Sequence, residues 1–227
     1  MIKKFTIFGE RHCSTNYTQK IASSTFNIPF TAEFGHKHWY GFREIKEEEE
    51  TLFLFCVRNP YDWIIALFTL PHEVTVKNKK NLISFLSNEW RSSCYGPTEI
   101  MEDRDMDTKQ RYANIFAMRK KKMNYILDNF RFDIKNFEII RYEDMENEEE
   151  KTLKRISMKY KLEYNQVKSS FKKPKPHYKK IDREVFSLID SQIDWETEIK
   201  FGYYPFFCFE EMIEKKELEE KVLTNKK

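Results

Sequence analysis

Glycine is scarce, with five in 227 residues, which excludes a collagen-like repeat and a glycine-rich linker. Long apolar runs are missing as well. No stretch approaches the roughly 18 apolar residues of a membrane span, and residues 5–8 are too short for the core of a signal peptide. The expectation is a soluble, cytoplasmic protein with no membrane partner. The four cysteines, Cys13, Cys56, Cys94 and Cys208, lie far apart without paired metal-ligand spacing, so free thiols are expected and structural zinc is not. Net charge is small too: 40 Lys plus Arg against 37 Asp plus Glu leave +3, too little for a chain that coats nucleic acid. Local basic clusters must therefore hold any anionic partner.

What is present is aromatic and charged. Twenty Phe, 12 Tyr and 34% charged residues describe a globular chain and exclude a disordered one. The length favours one domain with a sizeable core, taken as residues 1–208, followed by a charged tail over 209–227 that forms a peripheral helix. No internal repeat is visible. The charged runs 47–50, 146–151 and 210–221 read as solvated faces or connectors.

Three short, nearly continuous apolar runs, residues 5–8, 52–57 and 137–140, have the pattern of parallel strands covered on both faces. Helical patterns follow: 16–24 behind a Ser14-Thr15 cap, 60–70 with Pro60 in its first turn, and 146–160. The longest helix is expected over 109–128, with Tyr112, Ile115, Phe116, Met123, Ile126 and Leu127 on one stripe. Arg119 falls on that stripe, where it either snorkels or meets an anionic group near the core. Alternating strand, loop and helix make an α/β domain. The segment 171–180, with five lysines around Pro174, Pro176 and His177, cannot be regular helix and reads as an exposed basic loop.

Chemistry concentrates in a few segments. Gly9 to Tyr17, GERHCSTNY, stands between the first strand and a helix, where loop amides and the helix dipole make a natural oxyanion or phosphate cradle. Arg11 and His12 add donors; Ser14, Thr15 and Asn16 add hydroxyl and amide contacts, or merely cap the helix. The spacing echoes a P-loop, but the second glycine and the lysine of that motif are missing. At the carboxyl end of the second strand stands Arg58, in VRNPYDW, where ligands bind in open α/β sheets. It would enter the same crevice, or else pair with Asp62. An arginine where a metal-binding acid would stand suggests anion recognition without obligatory magnesium. Gly35 to Trp39, GHKHW, offers an acid-base group, a two-histidine metal edge without an evident third ligand, or an exposed turn.

FGERHCSTNYTQKI, FCVRNPYDWIIALF and IIRYEDM, in this order and at about these separations, resemble the sulfotransferase family that uses 3'-phosphoadenosine 5'-phosphosulfate (PAPS) as donor. The resemblance covers about residues 3–145. It implies a three-layer α/β/α, P-loop-like architecture with a central parallel sheet. Arg11, His12, Ser14, Thr15 and Asn16 would hold the 5'-phosphosulfate and Arg58 the 3'-phosphate, with PAP as product. His38 would be the base, Lys37 the charge stabiliser and His36 the reserve base. Arg141-Tyr142-Glu143-Asp144 would be a structural strand end near the site, and the basic loop, with Lys173 and Lys175, a lid over the nucleotide. Two positions depart from the family pattern: Ser14 occupies a glycine place, and Ala66 stands where a serine is usual.

The leading expectation is a metal-independent PAPS-dependent transferase. It acts on a hydroxyl or amine of a small molecule, glycan or peptide, and nothing in the chain selects among these or specifies an oligomeric state. Rivals are a P-loop-related kinase using ATP and magnesium, a nucleotide-binding or interaction protein of the same fold without turnover, and, more weakly, a nucleic-acid-binding module.

Overall fold

The computed structural model describes residues 1–38, 49–75, 80–95, 100–130, 134–167, 182–206 and 209–224. The elements in chain order begin β1 (Lys4–Gly9), α1 (Thr15–Phe26), β2 (Thr51–Val57), α2 (Pro60–Thr69), α3 (Leu82–Ser87), β3 (Cys94–Tyr95), β4 (Ile100–Met101), α4 (Ile115–Tyr125) and β5 (Phe137–Arg141). Helices Tyr142–Asn147, Glu149–Tyr160, Arg183–Gln192, Trp195–Lys200 and Phe209–Thr224 follow. The fold is α/β with a three-stranded parallel sheet in the order β1, β2, β5. No helix among the described residues is long and apolar enough to cross a membrane. The chain divides into two compact units: Met1–Asn59, Asp105–Lys109 and Lys121–Lys173 form the first, and Pro60–Arg104, Gln110–Lys120 and Pro174–Lys227 the second.

In the first unit β2 is the central strand, and every one of its residues is buried, as expected for a strand paired on both edges and covered on both faces. β5 departs from the expected continuous burial, with only Glu138 and Ile140 enclosed. It is the outer strand, and Glu138 accepts Arg155 at 2.7 Å and also takes Lys159, both from helix Glu149–Tyr160. That helix buries Thr152, Leu153, Ile156 and Ser157 on one stripe and packs beside α1. The single helix expected over 146–160 is two, interrupted at Glu148, whose backbone leaves helical geometry.

The other edge of β1 carries a pairing with no strand-like sequence signal. Phe5 N donates to Pro29 O at 3.0 Å and Thr31 N to Phe5 O at 2.8 Å, making a parallel bridge between Phe5 and Phe30. The ladder then lapses and re-engages where Gly9 N donates to Lys37 O at 3.0 Å. Residues 30–37 thus accompany β1 from Phe5 to Gly9, the extra length being taken up by a turn at Glu33 and Phe34.

The second unit is built on aromatic packing. Tyr61 stacks on Phe186, meets Trp195 and Phe206, and donates to Asp190 at 2.6 Å. Buried Asp103 accepts Trp90 Nε1 at 2.9 Å and Ser92 Oγ at 2.6 Å. Arg119 lies over the Trp63 ring and holds Glu198 with two hydrogen bonds, one of 2.8 Å from Nη2, so the stripe arginine meets a buried anion. The helix expected over 109–128 starts later and ends differently. Asn114 Oδ1 accepts Ala117 N at 2.8 Å and caps α4, Lys109 is left-handed at φ 62°, and a π-helical turn, Ile126–Phe130, follows Tyr125.

Candidate functional site

Parallel pairing decides where the sequence motifs emerge. Gly9 is paired with Cys56 and Val57 with Arg141, so the chain leaves all three strands at one carboxyl edge of the sheet. Polar groups that follow such strand ends share a crevice in open α/β sheets.

The segment after β1 is a tight loop. Gly9 has φ 153°, and a Cβ there would lie 2.4 Å from Cys56 O, so only glycine permits this approach of β1 to β2. His12 and Ser14 are both left-handed, at φ 64° and 57°. The N–H of Cys13, between them, donates to Glu10 O at 3.2 Å, and α1 adds first-turn amides without intrahelical acceptors. The expected side-chain cap is not formed: Ser14 Oγ donates to Cys13 O at 2.8 Å, because a left-handed Ser14 turns away from the helix amides. Arg11 is enclosed at 1% exposure with Nη1 3.4 Å from Glu10 Oε2, Thr15 is buried, His12 and Ser14 are half-buried, and Asn16 is exposed.

Arg58 joins this loop from the end of β2. Its Nη1 donates to His12 O at 3.1 Å, and the guanidinium carbon stands 4.0 Å from the centre of the Tyr142 ring. Asn59 N donates to Glu143 Oε1 at 2.9 Å. The Arg141-Tyr142-Glu143-Asp144 segment thus braces the arginine.

The histidine segment reaches the loop along β1. His38 Nδ1 lies 2.6 Å from Gly9 O. A carbonyl only accepts, so Nδ1 carries the proton and Nε2 of the neutral ring carries the lone pair. Burial first, then the positive Arg11, holds the imidazole well below the ordinary histidine range. Lys37 Nζ donates to Asn16 Oδ1, and His36 packs edge-on to His38 with centroids 5.3 Å apart. Cys56 is inert by comparison, its thiol pushed up to about 12 by burial.

Arg11, His12, Ser14, Thr15, Asn16, His36, Lys37, His38 and Arg58 therefore all belong to one connected cluster in the first unit. Lys173 and Lys175, with the basic loop 172–180, lie outside the described residues, as does Trp39. Glu10 and Lys122 are members that sequence reasoning missed. Lys122 Nζ donates to Glu10 Oε1 at 2.5 Å and to His38 O at 3.0 Å, and both side chains are buried. A signal existed: Lys122 stands seven residues after Ile115 and four before Ile126, on the buried stripe, hidden within a run of basic residues that reads as solvated.

Chemically, the cluster combines first-turn helix amides, an arginine stacked on a tyrosine ring and a neutral imidazole. Among the described residues no group of three or more His, Cys, Asp or Glu side chains is arranged to hold a metal ion. No family model matches the chain, and neither a curated protein nor a solved structure matches it.

Proposed function

We propose that this protein transfers a sulfuryl group from PAPS to a hydroxyl or amine acceptor. The observation that carries the reading is the meeting of three segments distant in sequence: the loop after β1, Arg58 after β2, and the His36-Lys37-His38 segment. A donor with a 5'-phosphosulfate and a 3'-phosphate needs an amide-lined cradle and a separate cation, and the loop and Arg58 match that division. Ser14, in the place where the resemblance has glycine, keeps a glycine-like backbone conformation, which favours a retained cradle. The reading takes the fold as a three-layer, P-loop-like α/β/α domain, supported by the parallel sheet and by a helix that starts directly after the β1 loop.

PAPS supplies the activated sulfuryl group and leaves as PAP. In the chain's own part of the chemistry, the amides of the loop and Arg58 bind and orient the anionic groups. Lys37, held beside Asn16, contributes positive charge. His38 Nε2 accepts the acceptor's proton, with Nδ1–H anchored on Gly9 O so that the ring keeps its tautomer.

A second reading, nucleotide binding without turnover, is favoured by the 5% exposure of His38. Thermal stabilisation by PAP, with ATP plus magnesium and adenosine 5'-phosphosulfate as comparators, tests the donor site; transfer of labelled sulfate to an acceptor panel tests turnover. PAP binding with transfer supports the first reading, and PAP binding without transfer supports the second. A preference for ATP plus magnesium overturns the first reading in favour of the kinase, and no shift with any nucleotide overturns both.

A further inference from the structure

We infer that Lys122, acting with Glu10, is a positioning residue that locks the His38 segment onto the anion-binding loop. A single ammonium group bridges a carboxylate that directly follows β1 and the backbone carbonyl of His38, at 2.5 and 3.0 Å. Both partners are enclosed, with 3% and 6% of their side chains exposed. The second oxygen of Glu10 faces Arg11 Nη1 at 3.4 Å. Glu10 is thus shared between the cation of its own loop and the cation from α4. The preceding residue on α4 is built differently: Lys121 is 37% exposed and pairs with Asp107.

Enclosure makes this arrangement more than a local tie. A buried ion pair is a weak source of net stability compared with apolar packing of similar volume. Its distinctive effect is geometric, since a buried ammonium needs its hydrogen bonds satisfied and tolerates few alternative arrangements. Here the acceptors include Glu10 and the main chain of His38, while the His38 ring returns to Gly9 O on the neighbouring residue. The two links close a loop between segments 28 residues apart. Among the described residues, the charged and titratable groups around His38 include Glu10 and Arg11 from the loop, His36 and Lys37 from its own segment, and Lys122 from α4.

The role in turnover rests on the sulfuryl-transfer reading, whereas the lock is a property of the folded chain and is tested without it. The experiment uses the full chain as wild type, Lys122→Met, Lys122→Arg and, as a control, Lys121→Met. Nitrogen-15 NMR of the histidine rings between about pH 5 and 8 reports the His38 tautomer and titration. Wild type and Lys121→Met should keep the proton on Nδ1. Lys122→Met should mix the two tautomers and, by loosening the enclosure that holds the imidazole low, move the titration upward toward the ordinary histidine range. Lys122→Arg should restore part of the wild-type behaviour.

If the wild type transfers sulfate, kcat of Lys122→Met falls by roughly 10- to 100-fold, more than KM for the donor rises. Absence of transfer in the wild type removes the sulfuryl-transfer reading and leaves the NMR result to judge the lock. A folded Lys122→Met with the wild-type tautomer and titration overturns the inference. If that variant does not fold, Glu10→Gln, which keeps the volume and loses the charge, decides in the same way.

Discussion

Arg58 stands over the Tyr142 ring at 4.0 Å and donates to His12 O at 3.1 Å, so the arginine that directly follows one strand is held by residues that follow two others. Arg58→Ala should weaken PAP binding by roughly 10- to 100-fold, the range of a charge-assisted hydrogen bond. Arg58→Lys should recover little, because an ammonium cannot reproduce the stacked, forked geometry. Tyr142→Leu should lose a smaller factor, about 3- to 30-fold, through a less ordered Arg58. Isothermal titration with PAP measures all three, and an unchanged affinity in Arg58→Ala removes the assigned 3'-phosphate site.

His38→Ala should lower turnover by roughly 10²- to 10⁴-fold, the usual contribution of a positioned general base. Donor affinity should stay close to wild type. Because the folded imidazole is held low, the base remains unprotonated well below the usual histidine range, and the rate should not fall as pH drops from about 8 to 6.5. A wild-type rate that halves near the ordinary histidine value would place the base elsewhere.

The same depressed value sets a stability window. The unfolded chain gains a proton on His38 before the folded chain does. The stability from the neutral ring is therefore complete above the unfolded value of about 6.5 and is lost as pH falls through the folded value. Melting temperature followed from pH 7.5 to 5, on the order of steps of half a unit, should fall less steeply in His38→Asn, which retains a donor for Gly9 O without the titration. Equal slopes would remove His38 from the acid sensitivity.

Ser14 at φ 57° predicts a stability order of Gly at or above Ser, with Val below both. Left-handed geometry costs an ordinary residue about 1–2 kcal/mol, which Ser14→Gly relieves, offset by roughly 0.5–1 kcal/mol of added chain entropy. Urea unfolding tests the order. Gly9→Ala should be far more damaging, by about 3 kcal/mol or more, since its Cβ would collide with a backbone oxygen. A mild effect there would mean that β1 and β2 do not approach as described.

In the second unit, Glu198→Gln should destabilise by about 3–5 kcal/mol because it strands a buried Arg119. The double variant Arg119→Met, Glu198→Leu should recover most of that loss. If the double variant is as unstable as the single one, packing on Trp63 outweighs charge, and the cation–π contact becomes the main term.

β1 and β2 were legible from local pattern because a strand buried on both faces is apolar with few interruptions, residues 52–57 being the clearest case, whereas β5 was legible as a short apolar run although only Glu138 and Ile140 are enclosed. The loop from Gly9 to Asn16 and Arg58 were legible from order alone, since polar residues directly after apolar strands emerge at one sheet edge. The late start of α4 was not, because Asn114 competes for the helix amides through its own side chain. The failed Ser14 cap was missed for a related reason: serine before a helix usually caps it, and only the backbone angle reveals otherwise.

The amino-acid sequence by itself determined that this chain is an α/β protein with a polar loop after β1 and an arginine after β2, because strand burial and strand-end polarity are local in sequence. The tertiary structure alone decided that residues 30–37 follow β1 and bring His38 to Gly9 O, and that Lys122 crosses from α4 to Glu10. Edge pairing through backbone groups leaves no side-chain signature, and a buried lysine inside a basic run looks solvated until its partner is in view.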